Sequence, residues 1–167
     1  MAHYNGFHTN LDVSPSLDNN QKINVTHSPD NLSGLGFNIP VMITGAAYDK
    51  NNREAKNIIV TAHLDTGASI TAVDEKIAET LGLRPLGTNK LLTANGLREA
   101  RNYFVNISFP NTNLRSYKIF VNDCKLPFNG NASDMNPQNF GVLLGRDIMS
   151  FWNIIWNGPS STVFISD

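Results

Sequence analysis

The residues with the clearest chemical potential lie at positions 65–69, where the sequence is D-T-G-A-S. Asp65 follows an apolar and β-branched run at residues 57–62 that is typical of a buried strand. Gly67 allows the chain to bend where this strand ends, and the Thr and Ser of the motif place hydroxyl groups beside the carboxylate. A carboxyl group on a turn at the end of a buried strand costs free energy unless it is hydrogen-bonded. Asp65 is therefore expected to have a specific role.

Peptide-bond hydrolysis is one reaction that such a carboxylate can perform together with a second carboxyl group. Two carboxyls about 3 Å apart cannot both ionise, so they share one proton. The charged one accepts a proton from water, and the neutral one donates a proton to the carbonyl oxygen of the peptide. This chemistry requires no metal and no cofactor. The chain contains a single D-T-G motif, so a two-fold axis beside Asp65 would have to bring the second carboxyl from another copy of the chain.

Two other aspartates have structural explanations. Asp74 is expected to cap a helix that spans residues 74–81 and ends at Gly82. Asp147 lies at the start of a second, short apolar helix, where an acid interacts favourably with the helix dipole. Because neither residue has the turn that follows Asp65, neither is expected to supply the second carboxyl within one chain.

Short strands separated by turns are predicted on both sides of Asp65. Asn95-Gly96 lies between two strand-like runs and predicts a tight hairpin, because both residues tolerate positive φ angles. A loop rich in Pro, Gly and Asn follows at residues 125–139. The predicted strands cover residues 23–25, 37–44, 57–64, 90–94, 97–109, 115–121, 142–144, 153–156 and 162–165.

The D-T-G-A-S motif and a later V-L-L-G-R-D motif at residues 142–147 together resemble the retropepsin-like aspartic proteases, over about residues 37–165. The resemblance implies an all-β, retropepsin-like acid-protease barrel with a flap hairpin and one or two short helices. It also implies an aspartic endopeptidase that acts as a homodimer on an extended peptide, with Asp65 as the catalytic residue and with no cofactor. A catalytically silent retropepsin-fold module for dimerisation or peptide binding is the alternative.

The resemblance assigns supporting roles to four residues near Asp65. Thr66 would hydrogen-bond across the two-fold axis, and Gly67 and Ser69 would orient the carboxylate and contact the substrate backbone. Arg146 would hold the turn against the helix, although the family often has an acid where this chain has Ser69. Other residues are implied to line the substrate site, some in the strands and some in the flap: His63, Ala68, Thr93, Ala94, Asn95, Gly96, Phe140, Gly141 and Leu143.

His63 differs from the family pattern, in which an apolar residue is usual at this position. It lies two residues before Asp65 on the predicted strand, so its side chain points to the same side as that of Asp65. Two interpretations are open. His63 either lines the substrate pocket or is a packed histidine that bonds to the backbone.

Composition sets the remaining limits. The chain has 167 residues and a formal net charge of −1, which argues against nucleic acid or an acidic membrane surface as a partner. Residues 1–34 are polar and aperiodic and predict an N-terminal arm before one domain at residues 35–167. No apolar h-region or membrane-length stretch is present, so no signal peptide is expected and a cytoplasmic location is favoured. A single cysteine, Cys124, excludes an internal disulfide, and the histidines near the N-terminus lack the spacing of metal ligands.

Overall fold

A computed structural model describes residues 5–8, 34, 36–45, 56–93, 96–134, 136–159 and 161–167. The helices with described bounds are α1 (Glu75–Leu81) and α2 (Arg146–Met149). The strands are β1 (Asn5–His8), β2 (Asn38–Gly45), β3 (Asn57–Leu64), β4 (Ala72–Asp74), β5 (Gly87–Thr93), β6 (Gly96–Ser108), β7 (Tyr117–Cys124), β8 (Val142–Leu144), β9 (Asn153–Asn157) and β10 (Thr162–Ser166). Within these described ranges, no helix is both long enough and apolar enough to cross a membrane.

Seven of the described strands form one sheet in the order β2-β3-β8-β4-β7-β6-β5. β2 also pairs with β6, so the sheet closes into a barrel and β5 remains outside the ring. Closure removes the unpaired edges that an open sheet would expose. The pairings of β3 with β8 and of β4 with β7 are parallel, and the others in this sheet are antiparallel. The predicted all-β architecture with short helices is therefore confirmed.

The barrel core follows from alternation along the strands. Ile39 and Val41 of β2 are buried and pair with Ala62 and Val60 of β3, which are also buried. Successive side chains of a strand point to opposite faces of the sheet. His63 therefore points away from this core face, together with its cross-strand partner at the start of β2. The alternation predicted along β6 is also confirmed, with its inward-facing side chains buried at Tyr103, Val105 and Ile107.

The hairpin formed by β5 and β6 extends from the barrel. β6 pairs with β5 from Gly96 to Asn102 and with β7 from Asn102 onward. The part of the hairpin before Asn102 is therefore a two-stranded ribbon, and it joins the barrel at Asn102. Gly96 has a φ of +103°, as predicted, but it pairs with Thr93 and begins β6 instead of lying in the turn. The side chains of Leu92 and Leu97 form an exposed apolar pair on this hairpin, 84% and 68% accessible.

A smaller sheet joins the two ends of the chain in the order β1-β10-β9. β9 and β10 are the predicted closing hairpin, whereas β1 and β4 lie outside the predicted strands. The strand predicted at residues 23–25 lies outside the described residues. The exposed apolar residues Ile155 and Phe164 pair across β9 and β10.

Helix α1 begins and ends as the sequence predicts. The side chain of Asp74 accepts a hydrogen bond from the Lys76 amide at 2.9 Å, and Gly82 ends the helix in the left-handed conformation. The other oxygen of Asp74 accepts from the amide of Leu126 at 2.8 Å. This buried carboxylate therefore joins the helix to the segment that follows β7.

We expect Asp74→Ala to lower the free energy of unfolding by about 1–3 kcal/mol, because two backbone amides lose their buried acceptor. Glu79→Ala, at an exposed position of the same helix, is the matched control and should change it by less than about 0.5 kcal/mol. Denaturant unfolding at one fixed protein concentration measures both. Equal losses in the two variants would contradict the role of Asp74.

Candidate active site

Asp65 lies on a tight turn directly after β3. Its amide donates to the carbonyl oxygen of Leu144 in the neighbouring parallel strand at 3.0 Å, and its own carbonyl accepts from the Ala68 amide at 3.1 Å. The amide of Gly67 donates to Asp65 Oδ1 at 2.7 Å. The carboxylate is half-buried, while Thr66 and Gly67 beside it are exposed. The turn thus orients a carboxylate that solvent or a ligand can still reach.

Two glycines are needed here for close approach. A Cβ on Gly67 would lie 3.0 Å from Asp65 Oδ1, which is tighter than the hydrogen-bonded turn can easily accommodate. Gly67 is not among the glycines with a positive φ angle. A glycine is therefore needed here because a Cβ would crowd the carboxylate, and not for the backbone bend expected from the sequence. A Cβ on Gly145 would lie 2.6 Å from the backbone carbon of Ile70. The segment that directly follows the D-T-G-A-S motif and the G-R-D segment therefore pack backbone against backbone.

Arg146 binds the turn through backbone oxygens. Its guanidinium Nη1 donates to the carbonyl of Thr66 at 2.6 Å, and its amide donates to the carbonyl of Ala68 at 2.9 Å. These contacts span both sides of the turn, which explains how an arginine can hold it although Ser69 replaces the acid frequent in the family. Ser69 itself is exposed.

Thr71 and Asp147 form a second connection that the sequence interpretation missed. Asp147 accepts from the Thr71 amide at 2.9 Å and from its hydroxyl at 2.7 Å, and the Thr71 hydroxyl accepts from the Gly145 amide at 3.1 Å. Asp147 also accepts from the Ile148 amide at 3.0 Å, consistent with its predicted place at a helix start. Thr71 is fully buried, and a polar residue in an otherwise apolar run was the available signal.

His63 is held by a side-chain network. Its ring stacks on Phe140 with centroids 5.0 Å apart, and its Nδ1 lies 2.9 Å from Asn38 Oδ1. Asn38 Nδ2 donates to the carbonyl of Pro137 at 3.2 Å. Because that carbonyl can only accept, Oδ1 must face the histidine, and Nδ1 must carry the proton. His63 is thus packed and bonded to a side chain, where the sequence suggested a backbone partner for a packed histidine.

Burial lowers the pKa of His63 below its ordinary value of 6.5, and the negative charge of Asp65 opposes that shift. The neutral imidazole is therefore the form favoured in the folded protein. Leu143 is half-buried and pairs with His63 across β3 and β8. Together with Phe140, these residues make one surface on the side of the sheet opposite the core.

The remaining predicted substrate residues are distributed between the barrel and the hairpin. Gly141 is buried, and its amide and carbonyl bond to Thr61 and Asp74. Thr93 donates its hydroxyl to the Gly96 carbonyl at 2.9 Å at the end of the hairpin. Ala94 and Asn95 lie outside the described residues. Across the described ranges, no group of three or more His, Cys, Asp or Glu side chains could hold a metal ion.

Comparison with known proteins gives one family and several similar structures. A family model described as aspartyl protease matches residues 54–148, which is more than half of the chain. A retropepsin-like aspartic protease from Rickettsia conorii is 14% identical, with 99% of this chain and 94% of that chain covered and a TM-score of 0.46. The EIAV protease complexed with the inhibitor HBY-793 is 20% identical, with coverage of 68% and 85% and a TM-score of 0.43. The retroviral protease-like domain of Ddi1 from Leishmania major is 13% identical, with coverage of 71% and 80% and a TM-score of 0.39. A search of curated proteins found no match.

We expect His63 to contribute to the pH dependence of stability. Its pKa is lower in the folded chain than the unfolded value of 6.5, so the unfolded state binds more protons between these two values. Stability should therefore fall as the pH drops below 6.5 and through the lowered pKa. His63→Leu should lose less stability over the same interval, measured by denaturant unfolding at a series of pH values. Parallel curves for the two proteins would contradict a half-buried His63 that is neutral in the folded protein.

Proposed function

Because this chain belongs to the aspartyl protease family, we propose that it is an aspartic endopeptidase that hydrolyses peptide bonds of an extended peptide. The observation that carries the proposal is the turn at Asp65. Its carboxylate is oriented by the Gly67 amide at 2.7 Å and remains only half-buried. A carboxylate held in this way is pre-oriented for proton transfer, and it retains acceptor positions for a water molecule or a second carboxyl.

The second carboxyl of the dyad comes from a second copy of the chain. The buried acids Asp74 and Asp123 and the half-buried Asp147 each accept hydrogen bonds from backbone amides, and these bonds account for their presence in structural terms. A two-fold axis beside the turn would bring two Asp65 carboxylates together from equivalent positions. The exposed side chain of Thr66 is available there for the contact between the two turns.

The reaction follows from one proton shared by two acids. The ionised Asp65 accepts a proton from water, whose oxygen attacks the carbonyl carbon of the peptide, and the protonated Asp65 of the other chain donates its proton to the carbonyl oxygen. The resulting gem-diol intermediate then collapses as the C–N bond breaks: the nitrogen gains a proton from the carboxyl that had taken it from water, and a hydroxyl of the intermediate returns its proton to the other carboxylate as the carbonyl re-forms. Each turnover consumes one water molecule and restores the shared proton.

Two parts of the chain form the substrate site in this proposal. The surface of His63, Phe140 and Leu143 contacts a substrate side chain on the barrel, and the β5–β6 hairpin closes over the peptide as a flap. The exposed apolar pair of Leu92 and Leu97 supports this role, since a bound peptide would cover surface that otherwise remains in water.

Asp65→Asn should retain the fold and reduce peptide hydrolysis by at least about 100-fold, because an amide cannot act as a general base. The assay is cleavage of an unbiased peptide library by purified protein from acid to neutral pH, with Glu79→Gln as an exposed, matched control. Substantial cleavage by a folded Asp65→Asn protein would contradict the assignment. Peptide binding without cleavage by the unaltered chain would instead support the catalytically silent module.

Activity should also depend on assembly, because each chain supplies one carboxyl of the dyad. Mixing the unaltered chain with a nine-fold excess of Asp65→Asn chains, followed by exchange of subunits, should lower activity per unaltered chain about tenfold if mixed dimers are inactive. Specific activity should fall on dilution with the midpoint of dimer dissociation measured by sedimentation. An unrelated protein at the same excess is the control. Undiminished activity in the mixture would contradict the shared dyad.

A further inference from the structure

Asp123 is a buried acid that the proposed chemistry does not use. Its side chain is only 3% accessible, and it lies near the end of β7. The pairing of β6 with β7 ends at Asn102 and Asn122, so Asp123 is next to the point at which the hairpin leaves the barrel. Burying a carboxylate is costly unless charged and hydrogen-bonding partners replace the lost water.

Those partners come from the hairpin strand. The Arg101 amide donates to Asp123 Oδ1 at 2.8 Å, and the Arg101 guanidinium Nε donates to Oδ2 at 2.5 Å. The hydroxyl of Tyr103 approaches the same Oδ2 at 3.4 Å. The carboxylate thus accepts from the backbone amide of Arg101, the residue of β6 directly before the first β6–β7 pair. It holds β6 at the place where main-chain pairing between the two strands stops.

Further contacts extend this connection along the hairpin. Arg98 Nη2 donates to the main-chain oxygen of Asp123 at 3.0 Å and lies 3.9 Å from Glu75 Oε1 at the start of α1. From β5, Asn89 Nδ2 donates to Asn122 Oδ1 at 3.4 Å. Both strands of the hairpin are therefore joined to the end of β7 by side chains. The acids and arginines in this group also balance each other's charge.

We propose that Asp123 is a positioning residue that fixes the base of the β5–β6 hairpin and thereby sets how the hairpin closes over substrate. The inference rests on the proposed function, in which this hairpin is the flap. Among the described strands, residues 96–101 pair with β5 alone, and a two-stranded ribbon has little stability of its own. Without its fixed base, the hairpin would spend more of its time away from the closed position, which weakens substrate binding more than the chemical step.

The test uses Asp123→Asn, Arg101→Gln and the double variant in the full chain. Each single variant should raise KM for a cleaved peptide about tenfold, the change that corresponds to 1.4 kcal/mol, and should change kcat less than KM. Hydrogen exchange of amides at residues 87–101 should become faster, while exchange in β2 and β3 stays unchanged. The double variant should be no worse than Asp123→Asn alone, because the ion pair that Arg101→Gln removes is one of those that Asp123→Asn already removes.

Arg115→Gln is the matched control, because this arginine pairs with Asp167 and not with the hairpin. It should leave KM and hairpin exchange unchanged. Arg101 has a side chain that is 45% accessible, so Arg101→Gln provides a folded variant if Asp123→Asn does not fold.

An unchanged KM in an active, folded Arg101→Gln protein would overturn the positioning role, even with faster hairpin exchange. Additive effects in the double variant would overturn the direct coupling of Asp123 to Arg101. Failure of the unaltered chain to cleave any peptide would instead overturn the proposed function, and the positioning role with it.

Discussion

The parallel pairing of β3 with β8 is the contact on which the candidate site depends. It places the end of the strand that carries Asp65 beside Leu144, whose carbonyl accepts the Asp65 amide at 3.0 Å. From that register, Arg146 reaches the Thr66 carbonyl, and Gly145 fits against the backbone at Ile70. A one-residue shift of the register would invert every side chain of the short strand β8. The geometry of the turn is therefore a property of two segments about 80 residues apart, and not of the D-T-G motif alone.

The aspartates of the barrel differ in how fully their oxygens are used. Asp74, Asp123 and Asp147 each receive hydrogen bonds at both carboxylate oxygens. Their charge is stabilised by fixed donors, and each one joins two elements of the fold. Asp65, within the described residues, receives the Gly67 amide at one oxygen. The three carboxylates whose two oxygens both accept hydrogen bonds hold elements of the fold together, whereas Asp65 keeps acceptor capacity that the proposed chemistry would use.

The barrel and the hairpin differ in how many neighbours their strands have. The strands of the ring have partners on both sides, while the outer part of β6 pairs with β5 alone among the described strands. A closed ring is suited to holding Asp65 and His63 in fixed positions, and a ribbon attached at its base can move relative to that ring. The polar contacts at the end of β7 lie at the junction between the closed ring and the two-stranded hairpin. They replace the main-chain pairing that ends at Asn102.

The sequence by itself determined the local elements. The apolar run before Asp65 predicted β3, Asp74 and Gly82 predicted the ends of α1, and Asn95-Gly96 predicted the hairpin, although not that Gly96 begins β6. Periodicity and turn chemistry reveal these features because they depend on neighbouring residues. Only the tertiary structure decided which polar groups meet, including Asn38 with Pro137, 99 positions apart, and Asp123 with Arg101, 22 positions apart. Partners of that kind are set by barrel closure and strand register. The residues that neighbour a buried carboxylate in the sequence therefore do not predict which group donates a hydrogen bond to it.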